Sequence, residues 1–138
     1  LPIGVAEIKR TGKDVTIVSF GKIIKEAYKA ADILAEEGID SEVIDLRTIR
    51  PMDYNTILES VKKTNRLVIL EESWPFGNIS TEITFQVQSQ IFDYLDAPIE
   101  KINTADTPAP YSPVLLAEWL PNYNDVIKSV KKVMYLPS

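Results

Sequence analysis

Two short runs, Val15-Thr16-Ile17-Val18-Ser19 and Leu67-Val68-Ile69-Leu70, carry no charge and no alternation of wet and dry positions, and this constrains the fold more than any other feature of the chain. A strand with one wet face alternates apolar and polar residues; a strand that does not must be covered on both sides. The covering elements are legible nearby. After Gly21 the residues Ile24, Ala27, Tyr28, Ala31, Leu34 and Ala35 form an apolar stripe at helical period, ended by Gly38, which suits the left-handed position just past a helix. Buried strands interleaved with amphipathic helices require a mostly parallel sheet between two helical layers.

The junction Asp45 to Asp53 sets the next unit. Glu42-Val43-Ile44-Asp45-Leu46 reads as a strand, and Arg50-Pro51 stops it, because proline holds its neighbour extended and donates no ladder bond. Asp53 then reads as a helix cap, followed at helical spacing by Tyr54, Ile57, Leu58 and Val61. Arg47 is a planar donor fork just past a strand end, where open α/β sheets carry their working surface; it serves either that surface or a nearby carbonyl or carboxylate.

The remaining elements follow the same logic. Val5-Ala6-Glu7-Ile8-Lys9-Arg10 alternates, as a half-exposed edge strand does, and Thr11-Gly12-Lys13-Asp14 supplies a turn. Arg66 to Glu71 is the fourth strand and Glu72 to Gly77 a loop. A long helix is expected from Ile79 to Tyr94, with Ile83, Val87 and Ile91 in one row and Phe92 and Leu95 beside it. Ile99 to Asn103 is a short fifth strand, and Thr104 to Pro113, with three prolines, must be loop. Val126, Ile127, Val130, Val133 and Met134 mark a last helix capped by Asn122 or Asn124. The fold class is therefore α/β, a three-layer αβα arrangement with a five-stranded, mostly parallel sheet and an antiparallel edge strand. With Val15–Ser19 central, Glu42–Leu46 on one side and Arg66–Glu71 on the other, a switch-point crevice opens between Ser19-Phe20-Gly21 and Glu71-Glu72-Ser73-Trp74. Residues 1–4 read as a linker and residues 5–138 as the domain. Leu1-Pro2-Ile3-Gly4 reads as the start of a piece cut from something longer or of a processed chain.

Composition narrows the chemistry. The 138 residues suffice for one self-supporting core. There is no cysteine and no histidine, which removes disulfides, thiolate metal sites and the commonest general base. A net charge of −5 argues against nucleic acid or an anionic membrane and favours a basic protein surface as partner. No apolar run is long enough to span a bilayer.

Motifs for small-molecule chemistry are thin. Ser19-Phe20-Gly21-Lys22-Ile23-Ile24 has one glycine where a dinucleotide fingerprint needs three. Glu71 and Glu72 are adjacent at a strand end and point to opposite faces, so solvated or ion-paired roles are expected for them. Trp74 and Phe76 sit in a turn, where they either fold back on the core or bury in a partner. Glu82, in the first turn of the long helix, is placed to reach back to free amides. Read from these residues alone, a small-molecule site at the Gly21/Glu72 crevice remains the alternative to a protein-binding role.

Longer motifs recur in order along the chain: Gly12-Lys13-Asp14-Val15-Thr16-Ile17-Val18, Asp45 to Asp53 with its Arg-Thr-x-x-Pro-x-Asp pattern, Ser60-Val61-Lys62-Lys63-Thr64, Glu71-Glu72-Ser73-Trp74-Pro75, Leu95-Asp96-Ala97-Pro98 and Asp106-Thr107-Pro108-Ala109-Pro110-Tyr111. With these the chain resembles the C-terminal domain of the beta subunits of the decarboxylating first component of 2-oxo acid dehydrogenase complexes, most closely pyruvate dehydrogenase, a domain type shared with transketolase. Gly77-Asn78-Ile79-Ser80-Thr81-Glu82 departs from the family's glycine-rich approach to the long helix, and Phe20 stands where some relatives carry histidine.

The resemblance implies an assembly and docking role. Thiamine diphosphate and magnesium would belong to the full enzyme and bind outside this segment, with no cofactor, metal or catalytic residue in it. The implied partners are a second beta subunit, the alpha subunit and the small basic subunit-binding domain of the dihydrolipoyl acyltransferase. Asp96, Tyr135 and Ser138 would face the acyltransferase, and Trp74, Phe76 and Glu82 would lie at a subunit interface. The compartment would be the cytoplasm in a bacterium or the mitochondrial matrix in a eukaryote.

Overall fold

A computed structural model describes residues 5–47, 52–71, 79–103 and 121–137. Five strands, Glu7–Arg10 (β1), Ser41–Asp45 (β3), Val15–Ser19 (β2), Leu67–Leu70 (β4) and Glu100–Ile102 (β5), form one sheet in that spatial order. β3, β2, β4 and β5 run parallel, and β1 pairs antiparallel with β3 through an irregularity between Ile8 and Arg10. All residues of β2 and β4 are buried, as their missing alternation requires.

Among the described residues, four α-helices cover the two faces. Ile24–Glu36 (α1) and Tyr123–Val133 (α4) pack on the face that presents Val15, Ile17, Val43, Val68, Leu70 and Ile102. Tyr54–Thr64 (α2) and Ile79–Ile91 (α3) cover Val18, Ile44, Leu67 and Ile69 on the other. The alternation of side chains along each strand thus divides one sheet into two apolar cores. One polar insertion interrupts the second core: Thr16 Oγ1 lies 2.7 Å from both the Ser60 and the Thr64 hydroxyl oxygens, so the buried hydroxyls satisfy one another.

Helix ends follow local chemistry. The Asp53 carboxylate accepts from the Thr56 amide at 3.1 Å and also from the Ala6 amide at 3.0 Å, so a single side chain caps α2 and holds the segment leading into β1. Asn122 caps α4 in a reciprocal box with Asp125. Gly38 ends α1 at φ +84, where a side chain would be strained.

Burial raises the Asp53 pKa, but the bonds from Thr56 and Ala6 outweigh it and the net shift is downward. A depressed folded pKa contributes stability above the unfolded carboxylate range, and that contribution is lost as pH falls through the folded value. Asp53→Ala is expected to cost about 2 kcal/mol near neutral pH, the upper range for a helix cap. Urea unfolding at neutral and acidic pH checks this: the difference between the two proteins should shrink in acid.

Two packing expectations need correction. Phe92 does not join the α3 row: α3 ends at Ile91, whose φ of −137 breaks the helix, and the following 3-10 turn, Phe92–Tyr94, leaves Phe92 65% exposed. Ala35 is exposed, whereas Ala30 completes the buried stripe of α1.

Candidate functional site: two ends of one sheet

The C-terminal ends of β2 and β4 bring Ser19 and Glu71 to the expected switch point; of the Glu71 carboxylate only Oε1 has partners among the described residues, and Oε2 is buried without one. The Ser19 hydroxyl donates to the Leu70 carbonyl at 2.8 Å, closing one lip onto the other. Glu71 corrects the expectation of a solvated carboxylate: it is fully buried, and among the described residues no cation pairs with it. Its Oε1 accepts from Asn103 Nδ2 at 3.0 Å and from the Ser80 amide at 3.4 Å. A carboxylate at the N-terminal end of α3 complements the helix dipole, so Glu71 joins β4, β5 and α3. Glu72, Trp74 and Phe76 lie outside the described residues.

Arg47 is also accounted for. It sits at φ 60, in the left-handed region, where its amide donates to Asp45 Oδ1 at 3.0 Å and its guanidinium pairs with Glu7 on the edge strand. This is the carboxylate reading of that residue. Glu82 is exposed and accepts from the Tyr54 hydroxyl and from Gln86 Nε2, each at 3.3 Å. Burial, followed by the Glu82 charge and the hydrogen bond to it, raises the Tyr54 pKa, which keeps the phenol protonated as the donor linking α2 to α3. Among the described residues no group of three or more His, Cys, Asp or Glu side chains could hold a metal. No described helix is long and apolar enough to cross a membrane.

At the opposite end of the sheet, where β4 and β5 begin, the fold brings together residues far apart in sequence. Asn65 takes the left-handed C-cap position of α2, receives the Asp96 amide on its carbonyl at 2.9 Å, and donates from Nδ2 to the Tyr94 carbonyl at 2.7 Å. The Tyr135 hydroxyl, from just past α4, donates to the Asp96 carbonyl at 3.2 Å. Asp96 and Tyr135 therefore share one surface, whereas Ser138 lies outside the described residues. The surface is aromatic and open: Tyr135 is 72% exposed and Tyr94 46%. Asp96 is exposed, and among the described residues no cation pairs with its carboxylate. Asn65, the hinge of this arrangement, carries no sequence signal beyond its helix-ending position.

The sheet thus carries a buried carboxylate at one end and, at the other, an exposed aromatic surface with Asp96 and with the Lys62 ammonium 5.7 Å from the Tyr94 ring centre. The transketolase C-terminal domain model matches residues 4–126, and the chain belongs to that family. It is 56% identical over 135 residues to the pyruvate dehydrogenase E1 component subunit beta of Rhizobium meliloti, covering 98% of this chain and 29% of that protein. It is 50% identical to the mitochondrial subunit beta-2 of Oryza sativa, covering 98% of this chain and 36% of that one. The chain thus spans about a third of the length of these curated relatives. A solved structure titled split gene transketolase, inactive beta4 tetramer, superposes with a TM-score of 0.87 at 27% identity, covering 100% of this chain and 45% of that one.

Proposed function

We propose that this domain serves assembly and docking in the beta subunit of a thiamine-diphosphate-dependent pyruvate dehydrogenase. In this reading the full enzyme oxidatively decarboxylates pyruvate and acylates lipoyl groups, and the domain contacts a second beta subunit, the alpha subunit and the basic subunit-binding domain of the acyltransferase. The observation that carries the proposal is the pairing of Asp96 with Tyr135 on one exposed surface, its carboxylate unpaired among the described residues, in a chain half-identical to pyruvate dehydrogenase beta subunits. An exposed carboxylate on a surface that also carries exposed aromatic rings suits a basic partner, since aromatic anchors supply contact area and the charge steers approach.

Thiamine diphosphate and magnesium belong elsewhere in the full enzyme on this reading. This placement rests on family likeness; among the described residues no group of three or more His, Cys, Asp or Glu could hold a metal, and Glu71 accepts from Ser80 and Asn103 through Oε1. The named relatives are bacterial and mitochondrial, which supports a bacterial cytoplasmic or a mitochondrial matrix setting.

Asp96→Lys in the full beta subunit tests the docking role. Decarboxylation of pyruvate with an artificial electron acceptor should be unchanged, while binding of the acyltransferase subunit-binding domain should weaken by about tenfold or more, since a like charge facing a basic partner costs at least ~1.4 kcal/mol. The dependence of binding on salt should flatten as well. Unchanged affinity with an unchanged salt slope would remove Asp96 from the interface.

A further inference from the structure

On the α2 face, at the sheet edge far from β5, a groove of about 450 Å³ opens between the edge strand and α2, lined by Ile8, Glu42, Asn55, Thr56, Glu59, Ser60 and Lys63. Its deepest residue is Glu42, which is only 1% exposed. Oε1 of Glu42 accepts from the Gly12 amide at 3.2 Å and from the Lys63 ammonium, whereas Oε2 is buried with no hydrogen-bond partner among the described residues. The nearby Ser60 hydroxyl is engaged with Thr16 at 2.7 Å. A buried carboxylate oxygen without a donor is a feature that calls for a ligand.

The charges define that ligand. Glu42 and Glu59 face one ammonium, Lys63, so the groove retains one net negative charge. Glu59 also touches Lys62 at 3.5 Å, but that pair is solvent-exposed and weak. The apolar wall is Ile8, which faces the same side of the sheet as its partner Ile44 and yet remains 46% exposed because α2 does not extend over it. The geometry points to a seat for an arginine side chain of a partner protein: its guanidinium fork donates to Glu42 Oε2 and to Glu59, and its methylene stem lies on Ile8. A protein side chain is favoured over a free small molecule because the groove runs beside the exposed edge strand, where an approaching chain can deliver one residue into it. The seat is independent of the Asp96 surface, which lies at the other edge of the sheet.

An NMR titration of the chain with N-acetyl-arginine amide tests the seat. Saturable shifts are expected at the Ile8, Gly12, Ser60 and Lys63 amides, with a Kd on the order of 1–10 mM, as befits a ligand with few contacts. The uncharged citrulline analogue should produce none. Glu59→Gln should weaken binding about twofold to fivefold, as for a partly exposed ion pair, and Glu42→Gln by about tenfold or more. Should Glu42→Gln fail to fold, the Glu59→Gln and citrulline comparisons still decide. Equal shifts with citrulline, shifts spread evenly over all exposed carboxylates, or no effect of Glu59→Gln would overturn the seat. Methylguanidinium binding as tightly as the capped arginine would overturn the role of the stem on Ile8.

Discussion

Gly12→Ala is expected to destabilise the domain by about 3 kcal/mol or more, because overpacking against fixed backbone leaves nothing able to yield. A Cβ at Gly12 would lie 2.3 Å from the Ser41 carbonyl carbon and 2.5 Å from the Glu42 amide nitrogen, where no real Cβ can sit. These atoms open β3, and Gly12 follows β1 two residues beyond the antiparallel Arg10↔Val43 pair, so relief of the clash must part the β1 side of the sheet from β3 at its start. The same shift would pull the Gly12 amide from Glu42. Gly21→Ala is the control. Gly21 has φ +73 but nothing within 4 Å of a built Cβ, so only left-handed backbone strain of about 1–2 kcal/mol should appear. Urea denaturation of both variants, with m-values unchanged, separates steric from conformational cost; equal losses would contradict the close-packing argument.

Gly12 also shows what a sequence conceals. Thr11-Gly12-Lys13-Asp14 announces a turn, but a turn glycine and a packing glycine look alike until the partner backbone is placed. Features governed by periodicity and neighbouring residues were readable: the buried strands, the Asp53 cap and the left-handed Gly38 all depend on chemistry within a few positions. The order of strands also followed, because a central, doubly apolar β2 leaves few arrangements. Features set by the meeting of distant segments were not. Glu71 looked solvated beside Glu72, yet Asn103 and Ser80 arrive from β5 and α3 to bury it. Phe92 looked like a core residue, yet the helix ended one position earlier. For the docking surface, family likeness singled out Asp96 and Tyr135, and only the folded chain joins them, through a hydrogen bond across 39 residues. Glu42 gave no sign at all: an acidic residue opening an apolar strand reads as a solvated end until Gly12 and Lys63 close over it.

Lys63→Met is expected to invert the way stability depends on pH. In the native protein burial pushes the Glu42 pKa up, but the bonds from Lys63 and the Gly12 amide and the Lys63 charge outweigh it, and the folded pKa lies below the usual glutamate value. The stability contributed by Glu42 is therefore complete above the unfolded carboxylate range and declines as pH falls through the folded value. Without the Lys63 ammonium the principal compensation is lost, and a carboxylate that is 1% exposed keeps its desolvation cost. Because the Lys63 side chain is 45% exposed, its removal should cost less than for a fully buried pair, about 1–2 kcal/mol at neutral pH. Burial should then raise the folded pKa above the unfolded one, so that the folded state takes up the proton first. Stability of the variant should consequently rise as pH drops toward the unfolded carboxylate value, where the native protein begins to lose it. Urea unfolding across that range distinguishes the two slopes. Lys63→Met and Lys63→Arg together identify the cause: arginine keeps the charge and should restore the native direction, whereas a loss of packing alone would shift both curves without changing their sign.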